Sequence, residues 1–510
     1  MLAKGLQREN KFHCCLLYLN KRKEQVMRMG VCENLEPKRV FAYFEEICKI
    51  PHGSGNTKAI SDYCVSFAKE HNLKWIQDES SNVIIFKDGS RGYETSDPVI
   101  IQGHMDMVCE KENHVEIDFE KDGLKLYVDG DFLKAEGTTL GGDDGIAVAY
   151  ALAILEDDAL SHPPLEVVLT VDEEIGLLGA EAIDLSMLKG KKLLNIDSDE
   201  EGIFLTSCAG GLRADCRMPV SRTEAEGMGY EIQVTGLKGG HSGSEIHKER
   251  GNAVVILGRA LYELRQSCSV SLETLSGGCK DNAIPREAAA CILIPEKDGG
   301  ELAAQIDRLN KTLKQEYRSS DAGVEICFRE LGPKKTGILT DASLIRILFM
   351  LRIMPWGVQN MSMEIEGLVE TSLNPGIMEL TEEEFCLCFS VRSSVTSRKY
   401  ELTERLAFLT EFLGGELEMH GDYPAWEYKP DSSVRGLMAE VYRELFQEEP
   451  QLKAIHAGLE CGILSGKIED LDAISFGPNN FDIHTPEERL SISSTEKVWK
   501  LILEFLKRAK

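Results

Sequence analysis

The run Val99-Ile-Ile-Gln-Gly-His-Met-Asp-Met-Val108 constrains this chain more than any other stretch. An unbroken apolar segment ending in His104-x-Asp106 reads as a buried strand with chemistry at its carboxyl end. Alternate residues of a strand share a face, so Asp106 can sit behind His104. A carboxylate bonded to one imidazole nitrogen fixes the tautomer and leaves the other nitrogen free for a metal. By itself a His-x-Asp pair is weak evidence, and three later segments strengthen it. Gly137-Thr-Thr-Leu-Gly-Gly-Asp143-Asp144-Gly145 leads into an alanine-rich helical pattern, Leu165-Glu-Val-Val-Leu-Thr-Val-Asp-Glu173-Glu174 is a strand tipped with acids, and Leu193-Leu-Asn-Ile-Asp197 is another. Ile474-Ser-Phe-Gly-Pro-Asn-Asn-Phe-Asp-Ile-His484 adds a second candidate histidine. Two histidines and several carboxylates, with no cysteine motif beside them, suit a hydrolytic site for two divalent metals better than a structural zinc knot.

Composition narrows the class. A chain of 510 residues has room for two or three domains. Its net charge of -28 argues against nucleic acid or an anionic membrane surface as partner. The 15 cysteines are odd in number, scattered among apolar positions and never spaced CxxC, which fits reduced thiols in a cytoplasmic setting. Residues 1–30 differ from the rest. The patch Cys14-Cys-Leu-Leu-Tyr-Leu19 is too short for a signal-peptide core and is followed by Lys21-Arg-Lys23, so this segment is expected to be a disordered extension.

From Pro37 onward, helical periodicity alternates with apolar strands. Helices are expected from Pro37 to Cys48, Thr57 to His71, Ile146 to Leu155 and Leu178 to Leu185. Strands are expected at Asn82 to Lys87, Val99 to Gln102, Val167 to Val171 and Lys192 to Ile196. This alternation implies an α/β fold, a sheet covered by helices with ligands beyond the carboxyl ends of its strands. His52, in the loop Pro51-His-Gly-Ser-Gly55, is expected at the pocket rim. Past Ala209-Gly-Gly-Leu212 the pattern becomes period-two strands flanking longer helices, and a similar order of elements recurs from Leu344 to about Tyr423. The expected division is therefore 31–208 as the first part of a catalytic domain, 209–425 as an inserted α+β domain with an internal duplication, and 426–510 as the second catalytic part.

These motifs carry a resemblance. Gln102-Gly-His-Met-Asp-Met-Val, Gly137-Thr-Thr-Leu-Gly-Gly-Asp-Asp-Gly, Asp172-Glu-Glu, His241-Ser-Gly, Asn282-Ala-Ile-Pro-Arg-Glu, Ser390-Val-Arg-Ser-Ser and His456-Ala-Gly-Leu-Glu-Cys-Gly stand in the order found in aminoacyl-histidine dipeptidases. From about Leu35 to its end the chain resembles these members of the superfamily of two-zinc dipeptidases, aminoacylases and related exopeptidases. The resemblance implies a zinc-exopeptidase-like catalytic domain with an inserted lid, and two divalent ions, zinc or alternatively cobalt or manganese. It places His104 and Asp197 on one ion, Glu174 and His484 on the other, and Asp143 between them. Glu173 would then be the general base. His241 is similar to the lid histidine that polarises the substrate carbonyl, Asn282 and Arg392 to groups that hold the substrate carboxylate, and Glu460 to a receiver of the free amine. His247, Arg250 and His456 are further pocket residues. Asp144 departs from many relatives, which have Asn there. Dipeptides, including those with C-terminal His, are the implied substrates, and a homodimer is compatible with the resemblance. An aminoacylase or a tripeptidase is the alternative activity, and a catalytically silent assembly protein the alternative of another class.

The N-terminal reading has a direct test. A chain beginning at Met29 should keep full dipeptide turnover and an unchanged melting temperature, measured beside the full-length protein. A large drop in melting temperature would show the segment to be docked.

Overall fold

The computed structural model describes residues 30–510, so the expectation for residues 1–30 lies outside the described residues except at Gly30. The chain forms two compact units. One is the described part of Met1–Thr206 with Lys429–Leu452 and Lys467–Lys510; the other is Ser207–Tyr428 with Lys453–Gly466. The stretch 453–466 is thus grouped with the inserted unit, whereas the sequence reading assigned it, with the rest of 426–510, to the second catalytic part.

The first unit is built on a mixed sheet with strand order Lys74–Gln77, Val83–Lys87, Leu165–Thr170, Val99–His104, Lys192–Asn195, Asp472–Ser475, Ile203–Cys208 and Gln451–Ile455. Val99–His104 runs parallel to Leu165–Thr170 and to Lys192–Asn195, which in turn runs parallel to Asp472–Ser475. Every residue of Val99–His104 and Leu165–Thr170 is buried. Successive side chains point to opposite faces, so both faces of this part of the sheet are covered. The helix Gly142–Glu156 is apolar on all sides and is buried from Asp144 to Leu155, as a helix at the centre of a unit must be. Lys38–Ile47, Ser433–Phe446 and Ile492–Arg508 contribute amphipathic faces to the same core, among them Phe41, Phe44, Met438, Ile502 and Phe505.

The inserted unit carries a nine-stranded sheet, and its topology resolves into two halves. Arg222–Thr235, helix Ala253–Ser267, Ser271–Gly277, Ala288–Ile294, helix Gly299–Glu316 and Glu325–Leu339 follow in chain order, and the strands lie in space as fourth, first, third, second. Gly210–Pro219, helix Asp341–Ile353, Val369–Leu380, Glu384–Ser393, helix Thr396–Phe412 and Glu416–Tyr423 repeat that arrangement. Each half is a split βαβ unit of ferredoxin type, and they join where Ser276 and Gly277 pair with Glu379 and Met378. The first strand of the second half precedes the whole first half in the chain, so an in-line search for a repeat begins too late. Where the sequence suggested a strand at Met361 to Ile365, the structure has a short strand at Gly357–Met361 and a long one at Val369–Leu380. Pro375-Gly376 interrupts the pattern of the latter, and the register shifts there.

Gly103, one residue before His104, sits where strand and central helix approach most closely. A Cβ there would lie 2.5 Å from both Ala147 Cβ and Asp144 Oδ2. Gly103→Ala should destabilise the protein by about 1–3 kcal/mol, as overpacking of a buried contact does. A calorimetric melting temperature within a degree of the parent would contradict this packing.

Candidate metal centre

The four parallel strands deliver their carboxyl ends to one edge of the sheet. His104 ends the first, Asp172-Glu173-Glu174 follows the second, Asp197 follows the third, and the chain after Asp472–Ser475 runs on to His484. Open α/β sheets gather ligands at this edge.

His104 is 1 % exposed. Its Nδ1 donates to the main-chain oxygen of Asp106 at 2.9 Å, with the carboxylate Oδ1 of that residue farther off at 3.5 Å. The sequence expectation of a carboxylate behind the imidazole is therefore modified, because the nearer acceptor is the carbonyl. A carbonyl only accepts, so Nδ1 carries a proton, and Nε2 is the nitrogen left to face the acids or a metal. That Nε2 faces Asp143 Oδ1 at 3.1 Å and Asp197 Oδ1 at 3.7 Å. His484 Nε2 lies 3.1 Å from Asp143 Oδ2 and 2.9 Å from Glu174 Oε1. Asp143 thus turns one oxygen to each imidazole.

The Asp106 carboxylate has other work. It accepts the backbone N–H of Glu173 at 3.1 Å, that of Glu174 at 3.4 Å and the Ser54 hydroxyl at 2.8 Å. It therefore pins the acid-bearing turn whose first residue, Asp172, has a φ of 56°. Glu173 reaches the same cluster, with donor atoms of His104, Glu173 and Glu174 within 4.8 Å of one another.

Electrostatics follow from crowding. Burial lowers the His104 pKa, but Asp106, Asp143 and Asp197 outweigh it and leave the imidazole well above its usual range. Asp143 and Glu174 hold His484 up at about 10. Burial and the charge of Asp197 push Asp144 far up. Its Oδ2 accepts the His104 backbone N–H at 3.2 Å. Asp199, which the sequence reading passed over, is pushed to about 8 by burial and by Asp143 and Asp197.

This donor set fits metal. Donors bonded at about 2.0–2.2 Å to one tetrahedral ion stand roughly 3.4 Å apart, and the separations around Asp143 run from 2.9 to 3.7 Å. Two triads, His104–Asp143–Asp197 and Asp143–Glu174–His484, share Asp143 and have the mixed oxygen and nitrogen character that suits borderline divalent ions. Another group, Asp215–Cys386–Cys388, lies in the inserted unit. There Arg213 and Arg217 already pair with Asp215, and their positive charge opposes a cation.

The other residues singled out in the sequence lie mostly in the inserted unit. His241 Nδ1 accepts N–H groups from Gly243 at 3.2 Å and Ser244 at 3.1 Å, so its proton is on Nε2. Burial and the neighbouring Arg392 lower its pKa and keep the ring neutral. Asn282 is exposed beside it, with its carbonyl accepting the Ser242 N–H at 2.8 Å. Arg392 donates to Tyr423 Oη at 2.8 Å, and His456 Nε2 lies 2.7 Å from Ser372 Oγ. Glu460 is fully buried at the start of the helix Glu460–Lys467. His247 lies within the short turn Ile246–Lys248, and Arg250 stands two residues past it. His52 is not on a rim. It is 2 % exposed, and its Nδ1 bonds the Ile50 carbonyl at 2.6 Å.

Acids and imidazoles at the carboxyl edge of a parallel sheet, arranged as two metal triads with one shared carboxylate, define a hydrolase of the metallopeptidase class. Residues 100–508 match the model of peptidase family M20/M25/M40, and the chain belongs to that family. It is 36% identical over 484 residues to the cytosol non-specific dipeptidase of Escherichia coli (strain K12), covering 94% of this chain and 99% of that one. The crystal structure of the aminoacylhistidine dipeptidase from Vibrio alginolyticus matches with a TM-score of 0.88 and 34% identity over 94% of this chain and 98% of that one. Aminopeptidase PepT from Bacillus cereus shares the fold at 13% identity and a TM-score of 0.53, over 93% of this chain and 99% of that one.

Asp106→Asn isolates the pinning carboxylate. An amide offers one acceptor oxygen where three donors now meet two, so the Glu173–Glu174 turn should loosen and zinc affinity fall about 10- to 100-fold. Chelator competition on the purified variant reads this directly, and parental affinity would show the contacts to be incidental.

Proposed function

We propose that this metallopeptidase is a zinc-dependent dipeptidase that hydrolyses unblocked dipeptides, Xaa-His among them, in the cytoplasm. The observation that carries the reading is the shared position of Asp143 between His104 and His484. The names of the Escherichia coli and Vibrio alginolyticus relatives support the substrate class. Among the described residues, no helix is long and apolar enough to cross a membrane.

His104 and Asp197 would hold one ion, Glu174 and His484 the other, and Asp143 both. Two divalent ions there supply Lewis acidity toward a peptide carbonyl and make a water nucleophilic near neutral pH. Glu173 takes the proton of that water and returns it to the leaving amine. His241 offers its Nε2–H to the carbonyl oxygen as charge develops there. Arg392, with a planar fork suited to a carboxylate, and Asn282 take the C-terminal end of the substrate, and Glu460 its amine.

Glu173→Gln separates a base from a ligand. It should keep two zinc equivalents while turnover falls by about 10²- to 10⁴-fold with substrate still bound. Glu174→Gln should instead lose one equivalent, with activity partly restored by added zinc. Loss of a zinc equivalent from Glu173→Gln, or near-parental turnover, would overturn the assignment. A panel of unblocked dipeptides, N-acetylated dipeptides and tripeptides tests the substrate class, and preferential turnover of acylated or longer substrates would move the protein to an aminoacylase or tripeptidase.

A further inference from the structure

We infer that Glu488 is the positioning residue that sets Asp143, and through it both halves of the proposed centre, without touching either ion. The inference rests on the two-metal reading above. Glu488 is 3 % exposed. Its Oε2 accepts the backbone N–H groups of Leu140 at 2.7 Å and Gly141 at 3.0 Å. Its Oε1 accepts those of Gly142 at 2.8 Å and Asp143 at 3.4 Å, together with the Asn480 side-chain amide at 3.1 Å. All five partners are donors, so the cage is shaped for an ionised carboxylate and gives a carboxyl proton nowhere to go.

The arrangement explains why the turn is glycine-rich. Gly141 has a φ of 69°, and a Cβ on Gly142 would stand 2.8 Å from the Asn480 side chain. Only this backbone lets four successive N–H groups converge on one carboxylate at the start of the helix Gly142–Glu156. These N–H groups form an anion-binding nest ahead of the regular helix, because Asp143 and Asp144 have non-helical backbone angles. Here Glu488 satisfies them, and the Asp143 carboxylate is left to face the imidazoles of His104 and His484. Glu488 also stands four residues after His484. One short segment thus supplies a proposed ligand of the second ion and the anchor of the carboxylate shared by both.

A residue with a merely structural role would change the melting temperature and leave metal affinity alone. Glu488→Gln keeps the shape but replaces one acceptor oxygen by a donor, which turns an N–H toward the backbone N–H groups. Zinc affinity of both equivalents, measured by competition with a chelator on apo-protein refilled with zinc, should fall about 10- to 100-fold. The far-UV circular dichroism should stay parental, and Glu488→Asp should recover part of the loss because it restores the charge. Asn480→Ala removes one donor of the five and should lower zinc affinity in the same direction by a smaller factor, which keeps the test open if Glu488→Gln does not fold. Two equivalents bound with parental affinity in both Glu488→Gln and Asn480→Ala would overturn the inference. A parental protein that binds no zinc would overturn the two-metal reading itself, and loss of only the His484-side equivalent would reduce Glu488 to a support for that histidine.

Discussion

An excess of carboxylates over cations at one buried edge is the constraint on which the site depends. Asp106, Asp143, Asp144, Asp197 and Asp199 crowd two imidazoles, and burial in such company drives Asp144 and Asp199 far above the usual carboxylate range. A fold tolerates so much like charge only if something compensates it. Part of the compensation is internal. Asp106 and Glu488 each accept several hydrogen bonds, and the neighbouring carboxylates raise the pKa of both histidines. The rest is a demand for positive charge that the two proposed divalent ions would meet.

The same edge also shows how labour is divided among similar side chains. Glu173 and Glu174 are neighbours, and Glu174 lies 2.9 Å from His484 Nε2. Their backbone N–H groups are both bonded to Asp106, so the turn that presents them is held from beneath through its main chain. Asp143 and Asp144 divide in another way. The first reaches the imidazoles, and the second folds back on the His104 main chain.

Much of this was legible in the sequence because parallel strands buried on both faces are written as continuous apolar runs, and acids just past such runs have few structural reasons to be there. Residues in the segments of His104, Asp143, Glu174, Asp197 and His484 were candidates in the sequence, the family resemblance chose this set among them, and the structure brings its members together. Glu488 was not visible, because its partners are backbone N–H groups, which carry no residue identity. His52 misled for the opposite reason: a polar residue in a glycine-rich loop suggested exposure, but the side chain is buried with its Nδ1 on the Ile50 carbonyl. In the inserted unit, Gly332-Pro333 lies within the strand Glu325–Leu339. That strand is at the sheet edge, where a missing N–H costs little.

The split second half of the inserted unit bears on how the chain is made. Gly210–Pro219 pairs with Glu384–Ser393 and Glu416–Tyr423, and the entire first half is encoded between them. At a synthesis rate of about 5–20 residues per second, the first half can be translated and folded while that early strand waits on the order of ten seconds for its partners. During that wait its apolar positions Leu212, Ala214, Cys216 and Met218, all buried in the finished sheet, have no native neighbours across either edge. The nascent protein therefore carries an unpaired strand through much of its synthesis, and the interval before Glu384–Ser393 emerges is the one in which a holding chaperone has most to protect.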